Sequence, residues 1–304
     1  MFMICQRRSV SSVKVSVTYD LSLPLKAGAN YSLTIIINNK IQAMNFHKEK
    51  SIAKKVALSA GSFLKQNFDK FDRSKGYKIK SKDQIQTWVD MAAERIILQE
   101  IKKNFPSHHI LAEESGADKK QSDYFWIIDP LDGTTNYTMH LPAYGVSVAL
   151  AFRQEIVLGI TYVPELKELM VAEKGQGALL NNRKLKVSKV AQLNRSLLTF
   201  CHGSLIHDIK RAIRLYSRFK LKGFDYRQIG CAVMEFGFVA AGRTEAIMLP
   251  GANLYDVAAG ALMVKEAGGQ VTDFNNQPWN IQSKDILASN GKIHNQVLKI
   301  INEN

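Results

Sequence analysis

The residues whose spacing promises chemistry are Asp129-Pro130-Leu131-Asp132-Gly133-Thr134-Thr135. A hydrophobic run, Phe125-Trp126-Ile127-Ile128, leads straight into two carboxylates. Pro130 bends the chain and removes one backbone N–H, and Gly133 permits a tight turn into a helix start near Thr134. Asp129 and Asp132 can converge on one hard cation through oxygen ligands, with the Leu131 carbonyl presented to the same place. The free N–H groups after Asp132 make an anion pocket that suits a phosphate. A hard cation beside a phosphate is the layout of metal-assisted phosphoryl chemistry. Taken alone, a D-x-x-D-G run is more often a plain strand-turn-helix with Asp as turn former and cap. The remaining acids therefore decide the reading.

Glu113 and Glu114 close another short apolar run, His109-Ile110-Leu111-Ala112, and are followed by Ser115-Gly116. Paired acids after a buried strand are costly to cluster without a cation, although a solvated loop would also explain them. Asp256 lies in Leu254-Tyr255-Asp256-Val257-Ala258-Ala259-Gly260. The small residues there let a helix pack closely, and a first-turn Asp is also favoured by the helix dipole alone. Asp90 follows Gln86-Thr87-Trp88-Val89 and precedes Met91-Ala92-Ala93, so it faces either solvent or a site. Cys201 and Cys231 read as small core residues, Cys231 lining a pocket at most. His202, before Gly203-Ser204, ends a strand and reads either as a satisfied loop histidine or as a residue near the substrate.

The elements that must position these acids follow from periodicity. Helices are predicted over 46–66, 84–103, 205–219, 230–241, 254–267 and 291–302. Strands are predicted over 109–112, 125–128, 144–152, 156–163, 168–174, 197–201, 245–249, 270–274 and 285–288. Gly175-Gln176-Gly177-Ala178 and Asn181-Asn182 supply hairpin turns. Runs of strands interrupted by helix pairs argue for layered sheets with helices between them, not a strict βαβ alternation.

Composition bounds the class. The chain has 304 residues, 46% hydrophobic and 22% charged, which is globular and neither fibrous nor disordered in bulk. No apolar run approaches the roughly 20 residues that span a bilayer. Three scattered cysteines make no disulfide framework and no CxxC zinc pair, and they suit a reducing, cytoplasmic setting. A formal charge of +14 suits nucleic acid or an anionic small substrate. Residues 1–43 look foreign to the rest, with one acid, Asp20, among several bases. A start at Met44, a targeting presequence and a family-specific extension that is disordered all fit them. The domain proper is expected over 44–304.

In order along the chain, the acid-bearing stretches resemble the inositol monophosphatase family. The glutamate pair is Glu113-Glu114. The pattern W-x-x-D-P-x-D-G-T-x-N is matched by Trp126-Ile127-Ile128-Asp129-Pro130-Leu131-Asp132-Gly133-Thr134-Thr135-Asn136, and W-D-x-A-A-G by Tyr255-Asp256-Val257-Ala258-Ala259-Gly260. Gly230-Cys231-Ala232 and Glu266-Ala267-Gly268-Gly269 extend the match. The resemblance implies an α+β fold, a layered αβαβα sandwich of the inositol monophosphatase and fructose-1,6-bisphosphatase type. It implies a magnesium-dependent phosphomonoesterase with two or three Mg²⁺ ions. Glu113, Asp129 and the Leu131 carbonyl would hold one ion; Asp129, Asp132 and Asp256 would hold another. Glu113 with Thr134 would orient and deprotonate the attacking water, with Asp90 acting nearby. Gly133 and Thr134 N–H groups would hold the phosphate. Asp132, Gly230, Cys231 and Ala232 would face the alcohol.

Two departures bear on the substrate. Inositol-specific relatives carry a glutamate where this chain has Leu249, and Tyr255 stands for the usual Trp. Leu249 cannot accept a hydrogen bond from a polyol. The expected substrate is inositol 1-phosphate. The alternatives are fructose 1,6-bisphosphate, a 3′(2′),5′-bisphosphate nucleotide, or a different class altogether, an RNA or transcription-complex binder using the basic surface. A homodimer is in keeping with the family, a membrane partner is not expected, and nucleic acid is a secondary partner.

Overall fold

The computed structural model describes residues 45–74, 77–81 and 84–303. The expected extension, residues 1–43, lies outside the described residues. In chain order the elements begin with α1 (His47–Phe68), β1 (Tyr77–Ser81), β2 (Gln84–Thr87), α2 (Trp88–Asn104), β3 (His109–Ala112), β4 (Gly116–Ala117), β5 (Tyr124–Asp132) and α3 (Thr134–Thr138). They continue with β6 (Gly145–Phe152), β7 (Glu155–Val163), β8 (Glu168–Glu173), β9 (Gly177–Leu180), β10 (Arg183–Lys184), β11 (Leu197–Phe200), α4 (Ile206–Leu221) and β12 (Asp225–Arg227). The last are α5 (Ala232–Ala240), β13 (Ala246–Pro250), α6 (Leu254–Glu266), β14 (Gln270–Thr272), β15 (Asp285–Ser289) and α7 (His294–Ile301).

These elements stack in five layers. An eight-stranded sheet runs β10-β9-β8-β7-β6-β5-β3-β4 and a five-stranded sheet runs β12-β11-β13-β15-β14. Helices α1 and α2 pack on one another and on β5, β6 and β7. Helices α5 and α6 pack on one another and touch both sheets, while α4 and α7 lie against each other beyond the small sheet, α4 on β12 and β13. The order α, β, α, β, α is the expected sandwich. Burial of both faces explains β6, Gly-Val-Ser-Val-Ala-Leu-Ala-Phe, in which every residue is buried: a strand covered on both sides reads as a continuous run rather than an alternation.

The middle helical layer depends on small residues. A Cβ on Gly260 of α6 would stand 2.4 Å from the Phe236 ring of α5. A Cβ on Gly159 of β7 would stand 2.7 Å from the Ala259 carbonyl. Ala258-Ala259-Gly260 thus brings α6, and Asp256 with it, hard against both neighbours. Phe236 is 0% exposed, a burial worth about 1.5–3 kcal/mol.

The helix expected over 84–103 begins instead at Trp88, and residues 84–87 pair with 77–81 as a hairpin. The cause is a capping box: the Thr87 side chain accepts from the Val89 and Asp90 N–H groups, and the Asp90 carboxylate accepts from the Thr87 N–H. Helix 230–241 is shortened to Ala232–Ala240 because Gly230 turns at φ 79°. The last helix starts at His294, since Asn290 Oδ1 first takes the N–H groups of Lys292 and Ile293. The strand expected to run to 274 stops at Thr272, where a turn ending at Gln277 takes over.

Candidate active site

Strand β5 delivers the central acids. It lies between β3, parallel, and β6, antiparallel. Its register against β6 slips between Asp129, opposite Ser147, and Asp132, opposite Gly145. The slip spans Pro130, which has no N–H for the ladder. Leu131 N–H instead donates to Asp129 Oδ1 at 3.0 Å. Gly133 then turns at φ 85°, and a Cβ there would meet the Ala143 carbonyl at 2.7 Å, so both conformation and space call for glycine. Helix α3 follows. From the parallel neighbour, Glu113 N–H donates to the Ile128 carbonyl at 3.1 Å, which sets Glu113 beside the end of β5. Asp256 arrives in the first turn of α6, its Oδ2 accepting from Asn253 Nδ2 at 3.1 Å.

The neighbouring acids act on Asp129 and Asp256, while Asp132 is shifted by its own burial. Burial pushes Asp129 well above the usual carboxylate range, and the charges of Glu113, Asp132 and Asp256 push it further. Asp256 is raised by burial and then by Asp132 and Glu113. Asp132 is pushed up to about 6 by burial, although Val233 N–H at 2.5 Å and the Cys231 thiol at 3.3 Å both donate to its Oδ2. Asp129 and Glu113 are also in direct side-chain hydrogen-bond contact. Two carboxylates that close require a proton or a cation between them. Among the described residues no group of three or more His, Cys, Asp or Glu stands close enough to hold a metal ion as placed; the four acids are linked through the charges that bear on Asp129. An all-oxygen, all-acid donor set of this kind suits a hard divalent ion such as Mg²⁺.

Beside this cluster, Asp90 and Thr134 come together. Thr134 Oγ1 lies 2.9 Å from Asp90 Oδ1 and 2.9 Å from the Leu131 carbonyl oxygen. Its single proton serves one of these at a time. Asp90 is 0% exposed, and its Oδ2 accepts from Thr87 N–H at 2.9 Å and from the Thr87 hydroxyl. Burial lifts its carboxyl to about 6, the Glu114 charge adding to the rise and the threonine hydrogen bonds opposing it. Asp90 therefore faces the site rather than solvent. Glu114 turns the other way, its N–H donating to Glu94 Oε2 at 2.8 Å and its carboxylate meeting Gln86.

A cavity of about 430 Å³ opens beside the acids. Asp132, Thr135, Asn136, Asp256, Gly230 and Ala232 line it, joined by Cys201, His202, Gln228, Ile229 and Leu249. Gly230 and Ala232, two of the residues expected to face the alcohol, are thus among the lining residues. Cys231 is not: it is fully buried, with its thiol on Asp132, and Cys201 lines the cavity in its place. Cys201, just past β11, is half-buried: it packs against the main core, as expected, and also lines the cavity. His202 lies on the cavity wall, with Nδ1 held 2.9 Å from the Gly203 carbonyl oxygen. Asn136 was noted only as part of the central motif, yet its Nδ2 reaches the carbonyls of Ala143 at 2.8 Å, Ile229 at 2.9 Å and Gly230 at 3.2 Å.

A five-layered sandwich with carboxylates gathered around a buried aspartate at the end of a central strand, beside a glycine turn into a helix, defines a class of phosphatase-type folds. The sequence comparisons agree. The model of the inositol monophosphatase family matches residues 47–304. A fructose-1,6-bisphosphatase/inositol-1-monophosphatase of Thermotoga maritima is 37% identical over 235 residues, 77% of this chain and 87% of that protein. The Nus factor SuhB of Escherichia coli K12 is 34% identical over 252 residues, 81% and 93% of the two chains. Among solved structures, an IMPase of Thermotoga maritima superposes with a TM-score of 0.77 at 33% identity, covering 84% of this chain and 97% of that one. The chain belongs to the inositol monophosphatase family. No helix among the described residues is long and apolar enough to cross a membrane.

Proposed function

We propose that this protein is a Mg²⁺-dependent phosphomonoesterase that hydrolyses a small phosphorylated polyol, inositol 1-phosphate first, to the alcohol and phosphate. The observation that carries the reading is the grouping of Glu113, Asp132 and Asp256 around the buried Asp129, whose proton affinity their charges raise. Glu113, Asp129 and the Leu131 carbonyl, and Asp129, Asp132 and Asp256, are the groups that would hold the ions. When bound, Mg²⁺ supplies neutralising charge for the acids and the phosphate and acidifies water.

The chain's own residues supply the rest. Phosphoryl transfer asks mainly for positioning and charge stabilisation, which explains a site rich in acids and without a Ser-His pair. The N–H groups of Gly133 and Thr134 hold the phosphate. Thr134, with Glu113, orients the attacking water. Asp90, with a carboxyl poised at about 6 and within 2.9 Å of Thr134 Oγ1, takes up the proton the water gives. Asp132, Gly230 and Ala232 face the alcohol.

Leu249 favours a second reading of the substrate. It is 1% exposed and presents carbon to the cavity where inositol-specific relatives carry a glutamate. A sugar bisphosphate or a bisphosphate nucleotide fits that wall, as the double name of the Thermotoga relative suggests for a sugar bisphosphate. The test is kcat/KM for phosphate release from inositol 1-phosphate, fructose 1,6-bisphosphate and adenosine 3′,5′-bisphosphate, with Mg²⁺ and with chelator. Highest turnover on inositol 1-phosphate supports the first reading. A higher value for either bisphosphate transfers the assignment to it, and turnover of none overturns both.

A further inference from the structure

Glu235, in the first turn of α5, is a buried acid that the proposed chemistry does not use. Its side chain is 0% exposed. A single oxygen, Oε1, accepts from the N–H of Ile229 at 3.0 Å, the N–H of Gly230 at 3.1 Å and the thiol of Cys201 at 3.2 Å. The carbonyls of the same two residues, Ile229 and Gly230, accept from Asn136 Nδ2 on the other side. The turn that walls the cavity is thus gripped on both peptide faces. One grip comes from the residue that closes the phosphate motif, the other from Glu235. Gly230 sits at φ 79°, a left-handed conformation that favours glycine. Through Cys201 the same carboxyl also fixes the end of β11, which leads to His202 on the cavity wall.

We propose that Glu235 is a positioning residue that sets the Gln228–Cys231 turn against the phosphate cradle and so governs binding of the alcohol half of the substrate. The inference rests on the phosphatase reading for its kinetic arm only. A carboxyl is well suited to this work because one of its oxygens can accept several donors at once, which no apolar residue of the same volume can do. Burial pushes Glu235 up to about 8, so near neutral pH the neutral form dominates. Glutamine therefore reproduces both the shape and the acceptor.

The experiment uses the full chain and two independent readouts. The first is hydrogen exchange by mass spectrometry on peptides covering 226–231, which needs neither substrate nor metal. Loss of an accepting partner in Glu235→Ala should speed exchange there by about tenfold or more, with Glu235→Gln close to the parent. The second is steady-state phosphate release from inositol 1-phosphate with Mg²⁺. Glu235→Ala should raise KM by about tenfold while kcat changes by less than about threefold, and Glu235→Gln should restore KM. Should the alanine variant fail to fold, Glu235→Asp, which withdraws the acceptor by one methylene, takes its place in both arms. Unchanged exchange at 226–231, or a glutamine variant as impaired as alanine, overturns the proposal. Altered exchange in a parent protein that releases no phosphate keeps the positioning role and counts against the phosphatase reading instead.

Discussion

Thr134→Val removes one hydroxyl and preserves the shape of the side chain. That hydroxyl stands 2.9 Å from both Asp90 Oδ1 and the Leu131 carbonyl oxygen. Asp90 is 0% exposed, so water does not replace the lost donor. A buried acceptor deprived of its donor costs about 1–3 kcal/mol. The melting temperature should fall by a few degrees in consequence. The kinetic effect should be larger. If Thr134 and Asp90 together manage the water's proton, kcat should fall by about 100-fold or more, the usual scale of acid–base assistance. Thr134→Ser keeps the donor and should stay within about tenfold of the parent. The pH profile supplies a third readout. The Thr134 hydrogen bond holds Asp90 down against burial, so its loss should move the acidic limb to higher pH from about 6. The assay is phosphate release from inositol 1-phosphate across the neutral range, beside thermal melts of both variants. A valine variant within about twofold of the parent, or valine and serine variants that behave alike, would refute the pairing.

Three further outcomes are expected. Gly260→Ala should destabilise the fold by about 1–3 kcal/mol in thermal denaturation, because the new methyl meets the Phe236 ring at 2.4 Å. His294 is fully buried between the Ser289 and Thr272 hydroxyls, and burial pushes its imidazole down to about 4. The unfolded chain takes up that proton first, so His294's contribution is complete above about pH 6.5 and is lost as pH falls toward 4; melts of the parent against His294→Asn over that window should show a flatter curve for the variant. In chelator, Asp129→Asn should melt no lower than the parent, since it removes a raised, buried acid. Added Mg²⁺ should stabilise the parent more than the variant, reversing their order.

The acids were legible in sequence because each lies within a short local pattern. Asp129 and Asp132 follow the apolar run Phe125–Ile128 and close β5, and Asp256 precedes a run of small residues whose packing role the structure bears out at Gly260. The layering was legible from the alternation of strand runs and helix pairs. The start of α2 was missed although its signal was present: Thr87-Trp88-Val89-Asp90 is a capping box, and a cap outranks helical periodicity in setting where a helix begins. The β1–β2 hairpin, β12 and the part of the cavity wall formed by Cys201 and Gln228 were not legible. Those residues meet only through long-range packing between β11, β13 and the turn before α5, and no local spacing encodes that meeting. The grip of Asn136 and Glu235 on one turn is of the same kind, joining residues 99 positions apart in sequence at its ends.

The most direct test of the carboxylate site is phosphate release from inositol 1-phosphate by the full chain, with Mg²⁺ and with chelator, for the parent beside Asp129→Asn. A Mg²⁺ site at Glu113, Asp129, Asp132 and Asp256 predicts turnover that requires the ion and disappears with the single substitution. Undiminished release by Asp129→Asn, or release that chelator leaves unchanged, would contradict it.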